Sequence, residues 1–313
     1  MDTIGLILTK ENAPNTSFME EIPAYLTSLY NNGDIVYNYN IPTIKGKLGN
    51  FDVSITDDSV KIKNGSLQKF IDKNNISPFG LNRIKQAFEL LADTIHLPIN
   101  NAKVLNFDFA KPITLKHDVS LYLNYFGNLN HFKRLEQPTG INYKNGYREL
   151  CIYNKITELK NHREFIPPLY QNANLIRLEM RYKRNLCKYF NVPAITPKIL
   201  TNEDFYINLC NDLYNNYTKI DKLKTFKIDM SNITTKEQYK KLGVLKLIEE
   251  QGGKLEALKG IEERSKKGIL TRKQKGDLIK LINECSQMKL QTIESELITE
   301  LNQKVKESIK YYR

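Results

Sequence analysis

Two short stretches, R-E-L-C-I-Y-N-K at 148–155 and L-I-R-L-E-M-R-Y-K-R at 175–184, limit what this chain can fold into more than any other feature. Both alternate apolar and polar residues, the period of a strand with one face buried. In the first, Leu150 and Ile152 share a face, and Glu149, Cys151, Tyr153 and Lys155 share the other. In the second, Ile176, Leu178, Met180 and Tyr182 oppose Arg177, Glu179, Arg181 and Lys183. Placed in one sheet, the polar faces would gather a tyrosine, lysines, glutamates and arginines, an inventory suited to a phosphodiester. Pattern alone also fits two amphipathic strands with solvated charges.

Around these strands the spacing predicts an α+β fold: a central antiparallel sheet with flanking helices, followed by a helical C-terminal region. Residues 3–9 read as a strand and Met19–Asn31 as a short helix. Asp34–Ile41 reads as another strand, and 51–55 with 60–62 as a hairpin turning at Asp57-Asp58-Ser59. A short helix follows Ser66. Leu81, Ile84, Phe88, Leu91 and Ile95 form the stripe of a helix over Gly80–His96. Val104–Phe109 and Val119–Phe126 read as strands, and Thr201–Asn216 as a helix.

From about Thr218 helical spacing dominates. Thr234-x-x-Glu237 reads as a capping box, Gly252-Gly253 and Gly268 as helix ends, and Thr271 as a cap. A last helix is expected to carry Ile293, Leu297, Leu301, Val305 and Ile309. The expected division is therefore 1–200 and 218–313.

The 313 residues carry 47 Lys and Arg against 35 Asp and Glu, a net charge of +12, which favours an anionic partner, nucleic acid or a membrane surface. No apolar run is long enough to span a bilayer, and the first residues, with Asp2, read as a strand rather than a signal peptide. The four cysteines have no zinc-ligand spacing and read as free thiols of a reducing cytoplasm. His96, His117, His131 and His162 form no i+2, i+3 or i+4 pair, so no histidine-pair metal motif is present. No G-x-x-x-x-G-K-[ST] phosphate loop exists.

Two acids remain as candidates. Asp108 sits between Phe107 and Phe109, where a buried charge costs several kcal/mol unless compensated. Glu179 lies between Arg177 and Arg181. Converging on one face, the two carboxylates would suit Mg²⁺ or Mn²⁺. Tyr153, two residues before Lys155, is a candidate nucleophile, although there are 18 tyrosines. Tyr122 is its strongest rival, with Tyr125, Tyr143 and Tyr147 behind it. Arg264, Lys266, Lys267, Arg272, Lys273 and Lys275 form a basic run that could grip duplex phosphates, or be a solvated turn.

At these residues the chain resembles the replication initiators of filamentous phages, the gene II protein family, and more distantly the rolling-circle plasmid initiators. The resemblance covers roughly Val53–Pro193 and rests on an ordered set: V-S-I-T, S-L-Q-K-F, N-I-S-P-F-G-L, N-F-D-F-A at 106–110, L-C-I-Y-N-K, and L-I-R-L-E-M-R-Y-K-R-N-L-C-K-Y-F-N-V-P at 175–193. It implies that Tyr153 is the nicking tyrosine of a Tyr-x-Lys motif and Lys155 its lysine. Asp108 and Glu179 match the family's acids. Leu105-Asn106-Phe107 stands where an arginine often precedes the acid, and the His-hydrophobe-His motif of the wider superfamily is missing.

The resemblance implies a metal-dependent nickase that joins Tyr153 to a 5′ phosphate of origin DNA and later rejoins the strand. A divalent ion (Mg²⁺ or Mn²⁺) on Asp108 and Glu179 would polarise the phosphate. Lys155, Arg177, Arg181 and Lys183 would meet its charge. The implied partners are double- and single-stranded origin DNA and a host helicase, in the cytoplasm of a bacterial cell, with no membrane; the oligomeric state stays open. A non-catalytic DNA-binding replication regulator is the alternative, and a basic RNA- or membrane-surface-binding protein a third.

Overall fold

The computed structural model describes residues 1–223, 225–226, 233–286, 292–293 and 295–310. The chain forms two compact units. One comprises residues 1–124, 128–220 and 300–313, and the other residues 125–127 and 221–299.

The first unit is built on an antiparallel sheet of 11 strands among the described residues. In chain order these are β1 (Thr3–Thr9), β2 (Ser28–Leu29), β3 (Val36–Asn38), β4 (Ile41–Leu48), β5 (Phe51–Ile55), β6 (Ser59–Ser66), β7 (Lys103–Leu115), β8 (Lys133–Gln137), β9 (Gly140–Lys144), β10 (Arg148–Asn154) and β11 (Asn174–Tyr182). Across the sheet the order is β2-β4-β5-β6-β1-β7-β11-β10-β9-β8, with β3 paired to β4. The α+β class with an antiparallel sheet and a helical C-terminal region is what the spacing predicts.

One face of the sheet is the core. Phe107 and Phe109 on β7, Leu150 and Ile152 on β10, and Ile176, Leu178, Met180 and Tyr182 on β11 are all buried. Each such side chain contributes about 1.5–3 kcal/mol on leaving water. The helix Glu203–Thr218, capped by Asn202, covers part of this face. Its Tyr206 meets Phe109 edge-on at 5.5 Å, and its Asp212 accepts a 2.7 Å hydrogen bond from Tyr182 Oη. The helix Leu81–Ile95 buries the stripe expected of it.

Several elements differ from the sequence reading. Val119–Leu123 is a helix, not the start of a strand, because Asp118 accepts hydrogen bonds from Ser120 N (2.8 Å) and Oγ (2.6 Å) and caps it. Val119 and Tyr122 are its buried positions, a helical i, i+3 spacing that outweighs the apparent alternation. The helix expected over Met19–Asn31 is broken into Phe18–Glu21, a 3₁₀ turn at Ile22–Tyr25 that accommodates Pro23, β2 and a second 3₁₀ turn. The strand expected over Asp34–Ile41 is a hairpin turning at Tyr39-Asn40. β7 runs six residues beyond Phe109, through Pro112. Its pairing with β1 ends at Phe107, so Pro112 has a strand on one side only, where a missing N–H is tolerated. The hairpin β8–β9, turning at Pro138-Thr139, has no counterpart in the sequence reading.

In the second unit the helices Lys236–Glu250, Lys254–Lys266 and Arg272–Ser286 pack around Ile248, Ala257, Ile261 and Ile282. The capping box is Thr235-x-x-Gln238, one residue later than expected: Thr235 Oγ1 accepts from Gln238 N at 3.2 Å, and Gln238 Oε1 from Thr235 N at 3.1 Å. Thr271 caps as expected, accepting from Gln274 N at 3.2 Å. Ile293 lies in a two-residue strand, Thr292–Ile293, paired with Thr225–Phe226, and the last helix starts later, at Glu296–Lys310. Its residues from Glu300 onward belong to the first unit, where Leu301 and Val305 are buried. No helix among the described residues is long and apolar enough to cross a membrane.

Candidate active site

Strand register assembles the candidate residues on the face opposite the core. Tyr153 on β10 lies opposite Arg177 on β11, Cys151 opposite Glu179, and Glu149 opposite Arg181. On the other side of β11, Arg181 lies opposite Asp108 on β7. Directly opposed residues share a face in an antiparallel pair. Three strands thus bring Asp108, Tyr153, Arg177, Glu179 and Arg181 onto one surface.

Glu179 is the hub. It is 2% exposed. Its Oε2 accepts from Tyr153 Oη at 2.9 Å and from Arg177 Nε at 3.2 Å; its Oε1 accepts from Arg181 Nε at 2.6 Å. Burial, and next the charge of Glu179, push the Tyr153 phenol well above its ordinary range. The phenol is therefore protonated at neutral pH, with its proton already directed at a carboxylate oxygen.

Arg177 is 2% exposed and engaged inside the protein on three sides. Besides Glu179, it donates through Nη2 to Asp2 Oδ2 at 2.7 Å and through Nη1 to Asn75 O at 2.5 Å. Burial works against ionisation of Asp2, but Arg177, with hydrogen bonds from Ser66 and Asn75, outweighs it and holds the carboxyl well below the usual range. The structure thus places Arg177 as the buried counter-ion of two acids.

Lys155 leaves the strand. It is the first residue of the helix Lys155–Asn161, capped by Asn154, whose Oδ1 accepts from Thr157 N at 3.0 Å. The Lys155 side chain is 1% exposed and pairs with Glu158 Oε2 at 2.7 Å. Burial first, then the Arg177 charge, lower its affinity for a proton. The alternation from Glu149 to Lys155 therefore ends at Tyr153. The helix is held by Ile156 and Leu159, packed with Ile76 and Leu175.

Asp108 stands at the open side, 4.0 Å from Arg181 Nε. Burial and then the Glu179 charge push its carboxyl up to about 7. With a folded value near 7 and an unfolded one near 3.9, Asp108 weakens the fold as pH rises through that window, by about 1.4 kcal/mol per pH unit at most. In EDTA, Asp108→Asn is therefore expected to be more stable than the wild type at pH 8, by about 2–4 kcal/mol, the gap closing toward pH 5. Urea unfolding at the two pH values measures it, and a gap independent of pH would contradict the burial of this acid.

Among the described residues no three of His, Cys, Asp and Glu gather into a metal-binding set. The pair Asp108 and Glu179 nevertheless suits a hard cation. Mg²⁺ is commonly held by one or two carboxylates, with waters and substrate phosphates completing its octahedron. The proton affinity of Asp108, raised in part by Glu179, marks negative charge that a cation would relieve. Arg181, on Glu179 Oε1, is the group that would have to yield.

The other candidates lie elsewhere. Lys183 pairs with Glu149 and is 43% exposed. Tyr122 is fully buried; its hydroxyl donates to Glu300 Oε2 at 2.6 Å and accepts from His117 N at 3.4 Å. Burial, then Glu300, push that phenol up to about 12. Arg264, Lys266, Lys267, Arg272 and Lys273 are exposed around the turn at Gly268 in the second unit, and Lys275 pairs with Glu262 at 2.7 Å.

Residues 40–232 match the model of the family described as the gene II replication-associated protein, N-terminal, which is more than half of the chain. The chain belongs to this family. The matched span of this gene II family protein includes Asp108, Tyr153, Lys155, Arg177, Glu179 and Arg181, and leaves out β1 and the basic run at 264–275. No curated protein matches the chain.

Asp2, Asn75 and Gly140 are absent from the sequence-based site. Asp2 and Asn75 reach Arg177 from 175 and 102 residues away, and no local pattern marks them. Gly140 lies opposite Tyr153, and a Cβ there would come within 2.4 Å of Tyr153 Cβ and of Ile152 O. The glycine that starts G-I-N-Y-K, directly after a two-residue turn, is the signal that was available.

Proposed function

We propose that this gene II family protein is a rolling-circle replication initiator that nicks one strand of origin DNA, with Tyr153 as the nucleophile. The observation that supports it is the 2.9 Å hydrogen bond from Tyr153 Oη to Glu179 on a face shared with Asp108 and Arg181. Glu179 accepts the phenolic proton as the Tyr153 oxygen attacks the phosphorus. The bond from phosphorus to the 3′ oxygen breaks, leaving a 5′ phosphate esterified to Tyr153 and a 3′ oxygen that takes a proton from water to become a free hydroxyl. Attack by a 3′ hydroxyl reverses the step and closes the strand without ATP.

Arg181, 34% exposed, is the cation proposed to meet the non-bridging oxygens. Arg177 and Lys155 act from below: Arg177 orients Glu179, and Lys155 begins the helix that follows the tyrosine. When bound by Asp108 and Glu179, Mg²⁺ or Mn²⁺ would supply Lewis-acid stabilisation of the leaving oxygen. The exposed lysines and arginines around Gly268 are proposed to hold duplex phosphates.

The test uses supercoiled plasmid carrying the protein's own upstream DNA, with Mn²⁺ or with EDTA, resolved on a denaturing gel. Nicked circles and protein-linked DNA are expected with Mn²⁺ and not with EDTA. Tight binding without nicking in any metal would mean a replication regulator instead.

A further inference from the structure

The sheet face that carries Asp108 extends away from it across β7, β1, β6, β5 and β4. Cross-strand register lines up Lys45 on β4, Ser54 on β5, Lys61 on β6, Ile7 on β1 and Lys103 on β7 in a single row. Strands lie about 4.8 Å apart, so the three lysines recur at roughly 10 Å. Lys61 and Lys103 are exposed and Lys45 is half-buried, and none has a carboxylate partner among the described residues. The one acid of the neighbouring row, Asp52, is neutralised by Lys47 at 2.6 Å.

A bulge connects this row to the catalytic cluster. Gly5 and Ile7 share a face of β1, and they pair with Asn106 and Lys103. The extra residue, Leu105, returns Asn106, and with it Asp108, to the face of Lys103.

At the far end is the β3–β4 hairpin. Tyr39 is 95% exposed and Ile41, on the Lys45 face of β4, 53%, whereas Tyr37 pairs with Pro42 and lies on the other face. Tyr39 and Asn40 form the turn with φ of 50° and 63°. A left-handed backbone is unfavourable for a bulky residue, and the ring of Tyr39 contributes nothing to packing. A strained, solvated aromatic beside a row of unpaired lysines points to a ligand with flat faces and regular negative charge.

We propose that this half of the sheet is a binding track for single-stranded DNA. The phosphates lie on Lys45, Lys61 and Lys103, and an unpaired base stacks on Tyr39. A duplex would hide the base faces that such a ring needs. The track would lead a strand to or from Tyr153, and in that sense it rests on the nicking function proposed above.

The test is fluorescence anisotropy with a labelled oligo-dT of about 20 nucleotides, long enough to cover a site of this size, in EDTA, using the full chain. Wild type is compared with Lys45→Gln/Lys61→Gln/Lys103→Gln and with Tyr39→Ala. For a single strand, the slope of log K against log salt is about −0.7 per neutralised phosphate, so the lysine variant should lose about 2 from the slope. The tyrosine variant should bind at least about fivefold more weakly with an unchanged slope. Unchanged oligo-dT affinity in both variants would overturn the track. So would a tyrosine variant that alters only the sedimentation mass, since the hairpin would then join two copies of the chain. Nicking of origin plasmid by the wild type is read separately. If nicking is absent but oligo-dT binding falls in these variants, the track stands and the nickase reading fails.

Discussion

Tyr153→Phe is expected to abolish the covalent protein–DNA adduct and reduce nicking at least about a thousandfold, while leaving the fold and DNA binding in place. The lost oxygen is the proposed nucleophile. The structural cost should be small. Glu179 loses the 2.9 Å bond from the phenol but keeps Arg177 at 3.2 Å and Arg181 at 2.6 Å. One such hydrogen bond contributes about 0.5–1.5 kcal/mol, so thermal unfolding should shift by only a few degrees. Tyr122→Phe is the contrasting variant: it removes the partner of Glu300 Oε2 and of the His117 N–H, and should lower stability without losing the adduct. An adduct that persists in Tyr153→Phe and disappears in Tyr122→Phe would move the nucleophile and overturn the assignment.

Arg177→Met is expected to destabilise the first unit by about 3–5 kcal/mol, the usual result of removing one partner from a buried ion pair. Arg177 is the only cation whose hydrogen bonds reach both Asp2 and Glu179 among the described residues, and all three of its donor nitrogens are used. Methionine fills much of the volume but leaves buried Asp2 without its cation and Glu179 with Arg181 alone. Arg177→Lys should recover little, because a single ammonium cannot reproduce a planar fork with three acceptors in three directions. The Met variant should also lose its adduct, since Glu179 would no longer be held against Tyr153. Urea unfolding of the purified variants measures the effect. A loss under about 1 kcal/mol would mean that water, not Arg177, solvates these acids.

The two variants separate roles that look alike in the sequence. Arg177 and Arg181 lie on one face of the same strand, with Glu179 between them. Yet Arg181 is 34% exposed beside Asp108, whereas Arg177 lies beneath the chain at Asn75 and the helix that begins at Lys155. Period-2 alternation assigns a residue to a face, but it says nothing of what covers that face further along. Leu175, Arg177 and Glu179 share one face of β11 and are each 2% exposed, and the cover opens only at Arg181.

The alternation in β10 and β11 and the stripe of the helix Leu81–Ile95 were legible because burial of one face imposes a period on any strand or helix. The same period put Tyr153, Glu179 and Asp108 on polar positions of apolar strands. Where two periods compete over few residues, as in V-S-L-Y-L-N-Y-F, a cap decides, and Asp118 makes that segment a helix. The meeting of Asp2, Asn75 and Gly140 with Arg177 and Tyr153, the start of a helix at Lys155, and the bulge at Leu105 that aligns Lys103 with Asp108 were decided only by tertiary structure. Those positions are set by the pairing of strands distant in sequence. A sequence pattern carries the neighbours of a residue along its own element, and register between elements follows from how all the buried faces pack together.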